Sequence, residues 1–152
     1  MDILQDDPAR FSSERSVNTG ANWFFWVAIL SVLNSLVIWY LGIKNLFFAL
    51  GVTQWIDGTG GAFNHQGNTA PLSESGLAVN ILIAAAIAGF GYLGRHKHDI
   101  WYVIGLFIYC ADAMLSLGLK DFFGFGFHLI PLFFLFKGLL ASRHVRENAT
   151  TI

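Results

Sequence analysis

The chain has 152 residues, 55% of them hydrophobic and 12% charged, with a formal net charge of −1. A soluble domain carries about 25% charged residues. Half that share, with a mean hydropathy of +0.55 and 15 Phe, excludes a disordered chain, a basic nucleic-acid-binding domain and an ordinary water-soluble enzyme, and leaves an integral membrane protein.

Residues 1–20 (MDILQDDPARFSSERSVNTG) are polar and lack a basic stretch followed by an apolar one. They read as a cytoplasmic tail, not a cleaved signal, and the first span does the targeting. About 20 mostly apolar residues are needed to cross the ~30 Å hydrocarbon layer as a helix, and four stretches meet this: 22–41, 77–94, 100–119 and 122–141. Trp and Tyr gather near their ends, as at Trp23, Trp39, Tyr40, Tyr92 and Trp101, where amphipathic rings favour the interface. A fifth apolar patch, 46–56, lies between Lys44 and Asp57. Eleven helical residues reach only about 16 Å, so residues 44–57 are predicted to form a short interfacial or re-entrant helix. The fold expected is all-α: one four-span bundle over 21–142, with a Gly/Asn/Ser-rich loop at 58–76 and a C-terminal tail at 143–152.

Charge placement gives the orientation. With four spans, Arg10, Arg15, Arg95, Lys97, Arg143 and Arg146 fall on one side, and Lys44 and Lys120 on the other. Both termini are therefore predicted to be cytoplasmic, with Lys137 snorkelling to that surface. A fifth span would put Arg10 and Arg15 outside. The second span carries small residues, and its Ala84/Ala88/Gly91 face reads as a packing surface, either within the bundle or for a homo-oligomer or larger membrane complex. The fourth span is rich in Phe, expected against lipid or against those small residues, and its Pro131 is a site for a kink.

Intramembrane polar groups are costly, and four stand out: Asn34, Asn80, Asp112 and His128. Counting from the outer span ends at 1.5 Å per residue puts Asn34, Asp112 and His128 roughly 9–11 Å deep and Asn80 about 5 Å deep. Gln54 and Asp57 share one face of the short helix, which enters from the same side. These six are the candidate ligand-binding or proton-handling residues. Asp112 and His128 flank a short turn, so their helices are neighbours, although depth alone does not say whether the side chains meet. Two readings stand: a polar cluster that glues helices, at about 0.6–2 kcal/mol per interhelical hydrogen bond, or a cavity for a small or lipophilic ligand. Proton handling by Asp112 and His128, and membrane-embedded catalysis, are further alternatives.

No catalytic residue, metal site or cofactor is assigned. His96-Lys97-His98 reads as a solvated, topology-setting turn. Gly124-xxx-His128 has a spacing that offers an imidazole to a haem or chlorophyll metal, but no second span repeats it. Ser31, Ser35 and Ser116 have no His at helical spacing and are expected to bond their own backbone. The Asn148-Ala149-Thr150 sequon falls on the predicted cytoplasmic tail. The expected partners are the lipid bilayer and a lipophilic ligand, with no nucleic acid. The residues thus favour a non-enzymatic binding or accessory subunit, with a small proton- or solute-translocating protein as the alternative.

At NWFFW (22–26), GVTQWID (51–57), the Asp-bearing third span and the Phe-His pair of the fourth, the chain resembles a group of small bacterial membrane proteins. The likeness covers residues 20–142 apart from the loop at 58–76. It implies four spans and a bacterial inner membrane, and it carries no activity, cofactor or catalytic residue.

Overall fold

The computed structural model describes residues 8–41, 50–56, 74–96, 99–118 and 120–150, and among these only Leu50, Lys120 and Asp121 lie outside helices. Five helices follow in order: α1 (Pro8–Leu41), α2 (Gly51–Ile56), α3 (Glu74–His96), α4 (Asp99–Gly118) and α5 (Phe122–Thr150). The four long helices each contain a segment long and apolar enough to cross a membrane. They pack as a ring, with α1 between α3 and α5, α4 closing the opposite side, and α2 leaning on α4 and α3. The all-α bundle read from the sequence is therefore the fold.

Two helices outrun their apolar segments. α1 begins at Pro8 rather than near residue 22, and α5 continues to Thr150. Nothing in 9–19 breaks a helix, and Gly20 and Ala21 are buried against the bundle, so the α1 segment preceding the apolar stretch continues its turns. Pro131 is buried inside α5 without ending it.

Buried positions recur at alternating spacings of three and four. On α3 they are Asn80, Ala84, Ile87, Gly91 and Gly94, and on α4 Tyr102, Gly105, Tyr109, Asp112 and Ser116. That period is the one expected of long helices meeting side on along a narrow seam. Outward faces carry Trp26, Leu82, Phe107, Phe122 and Phe133, each more than half exposed. So large a continuous apolar exterior belongs in lipid.

The small residues of α3 serve the interior only in part. Gly91 lies against Phe24 and Ala21 of α1, whereas Gly89 faces open space and Ala85 is exposed. A closer helix approach is α1 on α5, where a Cβ on Gly20 would lie 3.0 Å from the Cα of Gly138. The Tyr102 hydroxyl, reaching across from α4, fills the space beside both glycines. That hydroxyl is buried with no hydrogen-bond partner among the described residues, and the Tyr102 ring meets Phe24 edge-on at 5.5 Å. Arg95 ties the same end of the bundle, donating to the Asn22 amide oxygen and lying 5.9 Å from the Phe25 ring centroid.

The α4–α5 turn is closed by two bonds, Lys120 N–H to Leu117 C=O and Asp121 N–H to Ser116 C=O, both 3.0 Å. These are the paired bonds of a Schellman ending. They place Lys120 in the left-handed region at φ 61°, where a residue with a Cβ costs about 1 kcal/mol. Asp121 then caps α5, its Oδ1 accepting from Gly124 N–H at 2.8 Å; an added Cβ on Gly124 would collide with that carboxylate.

Two outcomes follow in thermal unfolding of the purified protein. Lys120→Gly raises stability by up to about 1 kcal/mol through relief of the left-handed strain. Gly138→Ala lowers it by about 1–3 kcal/mol by overpacking, and adding Tyr102→Phe recovers most of that loss. Equal losses with and without Tyr102→Phe would show that the tyrosine hydroxyl is not what the glycine accommodates.

Candidate functional site

The buried polar side chains divide unevenly along the bundle. Toward the end carrying the α4–α5 turn lie Ser31, Asn34 and Ser35 of α1, Thr53 of α2, Asn80 of α3, Asp112 and Ser116 of α4, and His128 of α5. Toward the end carrying the termini, the interior holds Phe24, Tyr102, Leu135 and glycine, with Ser142 bonded to its own backbone at Leu139.

Asp112 is the centre of the cluster. Its Oδ2 accepts from Gly51 N–H at 2.9 Å and lies 2.9 Å from His128 Nε2. Its Oδ1 accepts from Val52 N–H at 2.8 Å. Gly51 and Val52 open α2, and the first N–H groups of a helix have no partner within it. Asp112 supplies that partner from another helix, with a negative charge suited to the positive end of the helix dipole. Glycine is required at position 51 by proximity, since a Cβ there would lie 2.5 Å from Ser116 Oγ and 2.9 Å from the Asp112 carbonyl.

His128 is held on all sides. Nδ1 lies 2.6 Å from the Gly124 carbonyl, one turn earlier, and the ring stacks on Tyr109 at 5.2 Å. A carbonyl only accepts, so Nδ1 carries a proton and donates. The contact between Nε2 and Oδ2 then holds one further proton, on nitrogen as an imidazolium–carboxylate pair or on oxygen as a neutral pair. Either way the pair carries no net charge. An isolated carboxylate in a span costs about 3 kcal/mol or more, and His128 removes that cost without exposing Asp112 to water.

A second set of contacts surrounds the pair. Thr53 Oγ1 donates to the Leu50 carbonyl at 2.8 Å and lies 3.2 Å from Ser31 Oγ, which joins α2 to α1. Asn80 Nδ2 donates to Ser35 Oγ at 3.0 Å, joining α3 to α1. Ser116 Oγ donates to the Asp112 carbonyl on its own helix.

Of the six residues singled out from the sequence, the structure brings Asp112 and His128 into direct contact and ties Asn80 to Ser35. α3 begins at Glu74, so Asn80 lies six residues in, about 9 Å at helical rise. Asn34 is 3% exposed, and among the described residues both of its amide atoms lack a hydrogen-bond partner. The Gln54 side chain and Asp57 lie outside the described residues, as do Lys97 and His98. Of the three serines expected to bond their own backbone, Ser116 does so; Ser31 meets Thr53 and Ser35 accepts from Asn80.

Gly51, Val52, Thr53, Tyr109 and Gly124 were not evident as site residues. Two act through backbone N–H groups and one through a carbonyl, which no side-chain pattern reveals. Tyr109 and Thr53 look like ordinary members of apolar runs.

No protein-family model, curated protein or solved structure matches this chain. The likeness in the membrane-spanning part therefore assigns no family, and the chemistry of the site rests on its geometry.

Removing either polar group separates the roles. Asp112→Leu strands two N–H groups and a histidine and lowers stability by about 3–5 kcal/mol. Asn34→Leu removes an unsatisfied buried amide and raises stability by about 1 kcal/mol. Detergent melting curves measure both, and a loss of stability in Asn34→Leu would show that its amide has a partner.

Proposed function

We propose that this is a non-enzymatic multi-pass protein of a bacterial inner membrane, with both termini in the cytoplasm, acting as a binding or accessory subunit. In this reading Asp112 and His128 form a clasp that holds a re-entrant segment, residues 50–56, inside the outer half of the bundle. The observation that carries it is the use of the carboxylate: both Asp112 oxygens accept from protein donors, two of them the opening N–H groups of α2. A carboxylate so engaged positions backbone and is poorly placed to attack a substrate. Asn34 supports a binding role beside the clasp, because an unpartnered buried amide is costly and suits a polar group of a ligand. The excess of Arg and Lys at the end carrying the termini supports the orientation.

The second reading is a small proton- or solute-translocating protein using Asp112 and His128. One observation favours it: His128 Nε2 and Asp112 Oδ2 lie 2.9 Å apart, a contact that shares a proton. A further proton would neutralise the carboxylate beside an imidazolium and weaken its hold on Gly51 and Val52.

Hydrogen exchange at Gly51 and Val52 discriminates the two. The clasp reading expects strong protection in the wild type, protection kept in His128→Gln, whose amide nitrogen still donates to Asp112, and loss in Asp112→Leu. The translocation reading expects acid to release that protection in the wild type, whereas the clasp reading expects it to persist. For topology, in a Cys110→Ser background, Ser73→Cys reacts with an impermeant maleimide from outside intact cells and Ser12→Cys only after lysis. The opposite pattern overturns the orientation.

A further inference from the structure

A cleft of about 170 Å³ opens between α1 and α5 at the end carrying the termini, lined by Arg15, Ser16, Thr19, Phe134 and Lys137. It lies toward the opposite end of the bundle from Asp112, beside the Gly20–Gly138 approach. Arg15 and Thr19 are one turn apart on α1, and Phe134 and Lys137 one turn apart on α5, so each helix offers a cation and a second group to the same space. No acidic side chain lines it, and among the described residues neither Arg15 nor Lys137 has an ion-pair partner.

The level of the cleft selects the occupant. The apolar stretch of α1 starts at residue 22, so Thr19 and Arg15 stand about 4.5 and 10 Å beyond it at helical rise. The headgroup layer on each side of a bilayer is about 5–8 Å thick. Arg15 thus stands just outside the depth of lipid phosphates. Lys137, four residues inside the end of its own apolar stretch, reaches that depth by extending its side chain toward the surface, with Phe134 beneath it stacked on Trp23 at 5.0 Å. An aromatic floor toward the hydrocarbon and two cations above it match an amphiphile, not a free ion.

The hydroxyls narrow the headgroup. Ser16 Oγ donates to the Ser12 carbonyl at 3.0 Å and Thr19 Oγ1 to the Arg15 carbonyl at 2.9 Å. Their protons are committed to their own helix, which leaves oxygen lone pairs that accept. A phosphodiester offers no proton to them, whereas a headgroup bearing free hydroxyls does.

We infer that this cleft is a binding site for an anionic glycerophospholipid with a hydroxyl-bearing headgroup, phosphatidylglycerol in the simplest case. The phosphate sits between the Arg15 guanidinium and the Lys137 ammonium. The headgroup hydroxyls donate to Ser16 and Thr19, and the first acyl carbons lie over Phe134. The site requires that the chain span a bilayer and is independent of which face is cytoplasmic.

Native mass spectrometry of the full chain, released from mixed micelles, tests this with phosphatidylglycerol, phosphatidylserine and phosphatidylcholine as probes. The expected result is retention of one phosphatidylglycerol more strongly than either of the others. A cation near a lipid surface contributes about fivefold in affinity, so Arg15→Gln with Lys137→Gln should weaken retention about thirtyfold. Arg143→Gln, an exposed cation outside the cleft, should leave it unchanged, and the charge-conserving pair Arg15→Lys with Lys137→Arg should keep most of it. Equal retention of phosphatidylglycerol and phosphatidylcholine, or an equal loss in Arg143→Gln, overturns the site. Displacement of the lipid by millimolar inorganic phosphate would assign the cleft to a free anion instead. Failure of the wild type to insert into vesicles would sink the membrane reading itself, a result distinct from insertion without lipid preference.

Discussion

A carboxylate placed within an apolar helix must be neutralised and fully hydrogen-bonded, and Asp112 meets both demands through groups that are distant in sequence. His128 supplies the balancing charge or proton, and Gly51 and Val52 supply two N–H donors. Each contact fixes another element. The bond to His128 sets the rotation of α4 against α5. The bonds to α2 draw a chain segment into the bundle that could not remain there alone, because six residues of helix leave most of their backbone groups unsatisfied. In turn α2 satisfies the carboxylate, so neither element is stable in this position without the other.

The turn between α4 and α5 makes that arrangement reachable. Lys120 takes a strained backbone conformation, Asp121 caps the following helix, and Gly124 admits the cap. The Gly124 carbonyl then receives Nδ1 of His128 and so fixes which nitrogen faces Asp112. A strained residue, a cap and a histidine tautomer form one chain of cause over nine positions.

The two ends of the bundle solve different problems. Near the termini, glycines and aromatic rings interlock, with Tyr102 wedged where α1 and α5 come close. Packing there depends on shape, as it must where lipid offers no hydrophobic drive between helices. Near the α4–α5 turn, hydrogen bonds join all five helices, through Ser31–Thr53, Asn80–Ser35 and the bonds at Asp112. Directional bonds fix the angular setting of helices that small residues alone would leave free to rotate. The interlocked base and the bonded polar half together hold the short helix α2 in place.

The sequence by itself determined the class and the course of the chain. Four apolar stretches, the short patch before Asp57 and the levels of Asp112, His128 and Asn34 follow from length and hydropathy, because the bilayer imposes a fixed thickness and a steep cost on polar groups. It also brought Asp112 and His128 onto neighbouring helices. Only the tertiary structure decided that they touch, that Asn80 turns to Ser35, and that Asn34 is left without a partner. Depth is a one-dimensional quantity readable along the chain, whereas facing depends on how each helix is rotated about its axis, which contacts between helices set. The capping of α2 was further out of reach, since backbone N–H groups are the same at every position and become a site only where the fold leaves them open beside a charge.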